Sequence, residues 1–138
     1  MLKNGMLLSI LMMGLATLGC SDDSVEVEIL PQPAIADLSK TTISVSVWEY
    51  DPDIQDGEAK LVAETSDSNV TSPIVVSLDV PDRDSSFSYY VTTELDVDGN
   101  GARNCGDYGD TDFNDLGVDA SSIRIIVGPV TLNGCPTE

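Results

Sequence analysis

The chain contains no histidine. That absence removes Ser-His-Asp and Cys-His nucleophile arrangements and every zinc site built on imidazole. Cations are almost as scarce: six lysines and arginines stand against 24 aspartates and glutamates in 138 residues, a formal charge of −18. Nucleic-acid binding needs a basic footprint and peripheral membrane docking a polybasic patch, and this composition offers neither. Phosphate-cradling and dinucleotide-binding glycine motifs are missing as well. What remains for catalysis is a carboxylate pair of the glycosidase kind, and so short a chain leaves little room for the cleft such a pair requires. The expectation is a protein that is not an enzyme.

A long apolar run occurs once. Residues 1–20 carry one lysine and no carboxylate, run apolar from Met6 to Leu18, and end in Gly19-Cys20 before the acidic Ser21-Asp22-Asp23. This is the layout of a secretory signal, and about 13 apolar residues are too few to span a bilayer. The segment Thr17-Leu18-Gly19-Cys20 resembles the lipobox of bacterial lipoproteins. The resemblance implies removal of residues 1–19 and acylation of Cys20, whose two or three chains would anchor the protein stably without spanning. The family's pattern has leucine three residues before the cysteine and a small or β-branched residue two before, where this chain has Thr17 and Leu18. A signal peptide without lipidation is the alternative. Ser21, rather than aspartate, after the cysteine implies sorting to the outer membrane, facing the periplasm. Ser21-Asp22-Asp23 also resembles the export signals of surface-exposed lipoproteins, a second orientation.

All the acidic residues lie after Cys20, while Lys3 would leave with the signal. The resulting self-repulsion costs stability, and salt or divalent cations relieve it. Acidity of this degree is equally expected of a protein adapted to a saline habitat.

The remainder is long enough for one domain. Residues 20–40 read as a lipidated tether: Val25, Val27 and Ile29 alternate with Glu26 and Glu28 until Pro31-Gln32-Pro33 interrupts, an edge strand or a spacer. From 41 to 138 the pattern is that of strands. Ile43, Val45 and Val47 alternate with Ser44, Ser46 and Trp48. Ala59–Glu64, Pro73–Val80, Phe87–Leu95, Ile123–Val127 and Val130–Leu132 follow, separated by Asp-, Pro- and Gly-rich turns. Such spacing predicts an all-β fold, a small single-domain antiparallel β-sandwich of six to seven strands. Trp48 and Tyr50 share one face of their strand. Core packing is the simpler reading, and an outward orientation would instead mark an interaction patch.

The stretch richest in chemistry is Asp96-Val97-Asp98-Gly99-Asn100-Gly101-Ala102-Arg103-Asn104-Cys105-Gly106-Asp107. It places oxygen-bearing side chains at positions 1, 3, 5, 9 and 12 of a twelve-residue loop, with Gly101 at the sharply turning position 6 and the Ala102 carbonyl at position 7. The candidate ligands for Ca²⁺ are therefore Asp96, Asp98, Asn100, Ala102, Asn104 and Asp107. The loop resembles those of EF-hands and, with Asp107 rather than glutamate at position 12, those of dockerin modules. The flanking helices of those families are not expected, because the sequence before the loop alternates as a strand and that after it has two glycines. The competing reading is an acidic turn between strands, which demands the same Asp, Asn and Gly. A calcium site of this kind would be weak, on the order of 10⁻⁴–10⁻³ M. Asp110, Asp112, Asp115 and Asp119 could add to the ligands. The 51–58 loop is expected at the opposite pole, with 65–72 as the nearest neighbour.

Cys105 and Cys135 are the thiols left once Cys20 is acylated, and in an oxidising compartment they are expected to form a disulfide. The order of strands and turns over 41–95 resembles the small β-sandwich lipoproteins related to type III secretion pilot lipoproteins. Two functions stand side by side. One is a lipid-anchored interaction module, stabilised by calcium and a disulfide, that binds an envelope protein or glycan. The other is a pilot-like structural or assembly accessory whose acidic loop is a turn.

Overall fold

A computed structural model describes residues 23–135. The readings on the signal segment and on Cys20 lie outside them. Eight strands follow in order: β1 (Ser24–Pro31), β2 (Thr42–Tyr50), β3 (Lys60–Asp67), β4 (Ile74–Asp79), β5 (Ser88–Asp96), β6 (Tyr108–Asp110), β7 (Asn114–Asp115) and β8 (Ser122–Pro129). The all-β, single-domain expectation holds. In place of two stacked sheets, however, one sheet runs in the order β3-β2-β5-β6-β8-β1-β4. Its two ends, β3 and β4, approach each other without laddering, so the sheet curls into a nearly closed barrel. The pairing is antiparallel except between β1 and β8, the first and last long strands, which run parallel.

Alternation selects what the curled sheet encloses. Val25, Val27 and Ile29 from β1, Ile43, Val45 and Val47 from β2, and Ile74, Val76 and Leu78 from β4 point inward. They meet Tyr89, Val91 and Leu95 from β5 and Ile125 and Val127 from β8. Because side chains alternate with period 2, the residues between them face outward. Buried β-branched side chains dominate, and each stabilises the fold by about 1.5–3 kcal/mol relative to exposure.

Two boundaries differ from the sequence reading. Residues 24–31, taken as part of a tether, form a strand held on both edges, by β4 through Ser24–Ile29 and by β8 through Glu26–Pro31. The domain therefore begins at β1 rather than at 41. The segment 130–132 forms no strand, although the Val130 N–H still donates to the Asp107 carbonyl at 2.8 Å.

The ladders also fix the two ends of the barrel. Ser24, Asp79, Tyr50, Ser88 and Ser122 lie at one end, and Pro31, Ile74, Thr42, Asp96 and Pro129 at the other. The chain thus enters the fold at the end that carries the 51–58 loop. The acidic loop after Asp96 sits at the far end, as expected for its first half. Beyond β6 the chain keeps its direction along the edge of β5, and β7 pairs with Val91 and Tyr90 nearer the entry end.

Candidate functional site

The acidic loop joins β5 to β6, and its carboxylates fold it. Asp96 Oδ1 accepts the N–H groups of Gly99 (2.8 Å) and Asn100 (3.2 Å), and Oδ2 accepts that of Gly101 (2.7 Å). Asp107, almost fully buried, accepts the Val97 N–H on one oxygen (2.9 Å) and the Asn104 N–H on the other (2.8 Å), tying the start of the loop to its end. Asp98 accepts the Asn100 N–H at 3.1 Å and its side-chain amide at 2.8 Å. Gly101 has φ 76°, the left-handed conformation expected at position 6. Gly99, at φ 67°, is required on two counts, since a Cβ there would lie 2.4 Å from the Lys40 carbonyl oxygen. The loop therefore packs on the connection between β1 and β2.

Of the six predicted ligands, three converge: the carboxylates of Asp96, Asp98 and Asp107 offer oxygens within 4.8 Å of one another. The asparagines serve the loop instead. Asn100 Oδ1 accepts the Ala102 N–H at 2.7 Å, and the Asn104 side-chain amide points at Asp98, 3.4 Å away. The N–H donors compensate the gathered negative charge. That of Gly101, aided by those of Gly99 and Asn100, holds the Asp96 carboxyl below its ordinary value against a smaller opposing effect of desolvation. Each carboxylate has lone pairs beyond those the N–H groups use, so a hard cation with a taste for oxygen could be held here. A cleft of about 200 Å³ beside the loop, lined in part by Thr42, Glu94, Asp96 and Arg103, is smaller than an organic ligand's pocket.

The other acidic candidates do not join this cluster. Asp110 fills a gap in the sheet where β6 ends and β7 has not begun, and its two oxygens accept the Thr93 N–H at 3.1 and 2.9 Å. Burial there pushes its carboxyl up to about 6, against the pull of the Thr93 N–H. Cys105 and Cys135 are joined as a disulfide with Cα atoms 5.4 Å apart. The bond links the acidic loop to the segment after β8.

A second feature lies on the outside of the sheet. Trp48 and Tyr90 stack across β2 and β5 with centroids 6.4 Å apart and planes at 14°. Tyr50 and Phe113 complete the group, Phe113 lying 5.0 Å from Tyr90 and 6.4 Å from Tyr50. Core packing, the simpler expectation for Trp48 and Tyr50, is corrected here: their neighbours Val47 and Val91 occupy the inner face, so period 2 sends these rings outward. Trp48 Nε1 donates to Thr92 Oγ1 at 2.9 Å, fixing the indole on the surface. Phe113 is 64% exposed. Sequence reasoning missed it, because it sits in an Asp- and Gly-rich stretch without periodicity and reaches the patch through the short β5–β7 pairing.

No family model matches the chain, and no curated protein does. Among solved structures, the fold is similar to that of an alternative pilotin from the type II secretion system of Vibrio cholerae. The likeness has a TM-score of 0.61 at 15% identity and covers 78% of this chain and 96% of the pilotin.

Proposed function

We propose that the protein is a non-enzymatic, lipid-anchored accessory for an assembly of the bacterial envelope, a pilot-like lipoprotein of the outer membrane. The observation that carries this reading is the fold likeness, which extends over nearly the whole of a secretion pilotin. The Thr17-Leu18-Gly19-Cys20 segment supports it from the sequence side. Ser24, where β1 starts, is four residues past Cys20, a reach of about 14 Å at full extension. An anchor at Cys20 would hold the barrel by its entry end and turn the acidic loop and disulfide away from the bilayer.

The test is deletion of the gene in the source bacterium, followed by separation of outer-membrane complexes in native gels. The reading expects one multimeric complex to vanish or to stall in the inner membrane, with Cys20→Ser giving the same loss and releasing the protein from membranes. An unchanged set of complexes overturns it.

The convergence of Asp96, Asp98 and Asp107 favours a second reading, an interaction module whose acidic loop takes up Ca²⁺. Thermal unfolding of the full chain at fixed ionic strength, with millimolar calcium, magnesium or excess chelator, distinguishes it. A calcium-specific rise in Tm that Asp96→Ala abolishes supports a metal site. Indifference to chelator leaves the loop an acidic turn.

A further inference from the structure

We propose that the outward aromatic face of Trp48, Tyr50, Tyr90 and Phe113 is a docking site for a cationic, apolar-anchored peptide segment of a partner protein. The inference deepens the assembly role and rests on it for the partner being a protein. Four rings linked by successive contacts lie on the outer face of the sheet, no second sheet covers them among the described residues, and Phe113 is 64% exposed. Leu61, directly across from Trp48 on β3 and 39% exposed, extends the apolar ground. A soluble monomer rarely leaves such an area uncovered without use, and tyrosine and tryptophan carry much of the energy where partners dock.

Charge decides which partner. Asp115 stands directly across from Tyr90, Asp112 precedes Phe113, Asp51 follows Tyr50, and Glu64 lies across from Ser46, next outward on the face from Trp48. The strands that build the face, β2, β3, β5 and β7, contain one cation, Lys60, placed across from Glu49. Rings edged by carboxylates attract lysine and arginine twice over, by ion pairing at the rim and by cation–π contact on the ring faces. The same rim repels a second copy of this acidic chain and an anionic lipid surface.

Trp48 is the single tryptophan, so its emission reports on this face. The full chain in phosphatidylcholine vesicles is titrated with an alternating Leu–Lys hexapeptide, an alternating Leu–Glu hexapeptide and cellohexaose, with protein-free vesicles as the blank. The expected result is saturable binding of the Leu–Lys peptide alone, with a blue shift of Trp48 emission. Phe113→Ala should weaken it about tenfold, the loss of one exposed aromatic anchor. Asp112→Asn and Asp115→Asn should each weaken it a few-fold, while Glu26→Gln on β1 leaves it unchanged. Equal weakening by Glu26→Gln would show diffuse attraction to an acidic protein and overturn the proposal. So would a response to cellohexaose in place of the peptide, or peptide uptake no greater than by protein-free vesicles. Failure of the assembly role appears separately, as unaltered envelope complexes in the deletion strain, and leaves the titration readable.

Discussion

At the scale of the residue, the acidic side chains of this protein divide by the donors they meet. Asp96 and Asp107 spend their oxygens on backbone N–H groups and so act as part of the chain's own scaffold. Asp110 differs, because burial outweighs its bond from Thr93 and raises its folded-state value from 3.8 to about 6. The folded chain therefore holds that proton more tightly than the unfolded one. Its stabilising contribution is complete below about pH 3.8 and is lost as pH rises through about 6. In Asp110→Asn, which keeps an oxygen for the Thr93 N–H, the fall in Tm between pH 4.5 and pH 7 should be smaller than in the parent chain. Thermal unfolding at fixed salt checks this, and parallel curves would contradict it. Tyr89 is the second informative residue. Its hydroxyl donates to Glu49 at 2.8 Å and accepts the Asp84 N–H at 2.9 Å, joining β2 to the turn before β5. Tyr89→Phe keeps the buried ring and removes both bonds, so a loss of about 1–3 kcal/mol is expected in denaturant titrations.

At the scale of the element, β1 matters more than its position in the chain suggests. It bonds β4 on one side and β8 on the other, and its Ile29 is 1% exposed. Ile29→Ala should cost about 2–5 kcal/mol, whereas Ile54→Ala, in the exposed 51–58 loop, should be near neutral. Comparable losses at both positions would place β1 outside the cooperative core. The disulfide works at the same scale. With its ends at a sequence separation of 30, it is expected to contribute roughly 3–4 kcal/mol by restricting the unfolded chain. Reduction should lower the unfolding midpoint by a corresponding amount. If calcium binds, reduction should also weaken it, because Cys105 lies within the loop.

At the scale of the whole molecule, a chain with a formal charge of −18 that folds one small barrel repels itself in the folded state. Raising salt from about 0.01 to about 1 M shortens the Debye length from about 30 to about 3 Å, so Tm should rise with sodium chloride over that range. A flat response would mean that the acidic side chains are compensated locally, as those of the 96–107 loop are.

The sequence by itself determined the class of this fold, because alternation in Ile43-Ser44-Val45-Ser46-Val47 and Tyr89-Tyr90-Val91-Thr92-Thr93 is a local property that needs no partner to be read. It also located the acidic loop and the cysteine pair, since carboxylate spacing within twelve residues and a lone pair of thiols are visible along the chain. What it left open depended on contacts between distant residues. Whether Val25, Val27 and Ile29 belong to a tether or to an interior strand is decided by β4 and β8, which lie some fifty and a hundred residues away and supply hydrogen bonds on both edges. Whether strands stack as two sheets or curl into one is decided by the approach of β3 to β4. The face of Trp48 and Tyr50 was ambiguous because an aromatic ring suits either side of a strand, and only the inward packing of Val47 and Val91 settles it. Phe113 joins them because the chain returns along β5, a tertiary event that no local periodicity announces.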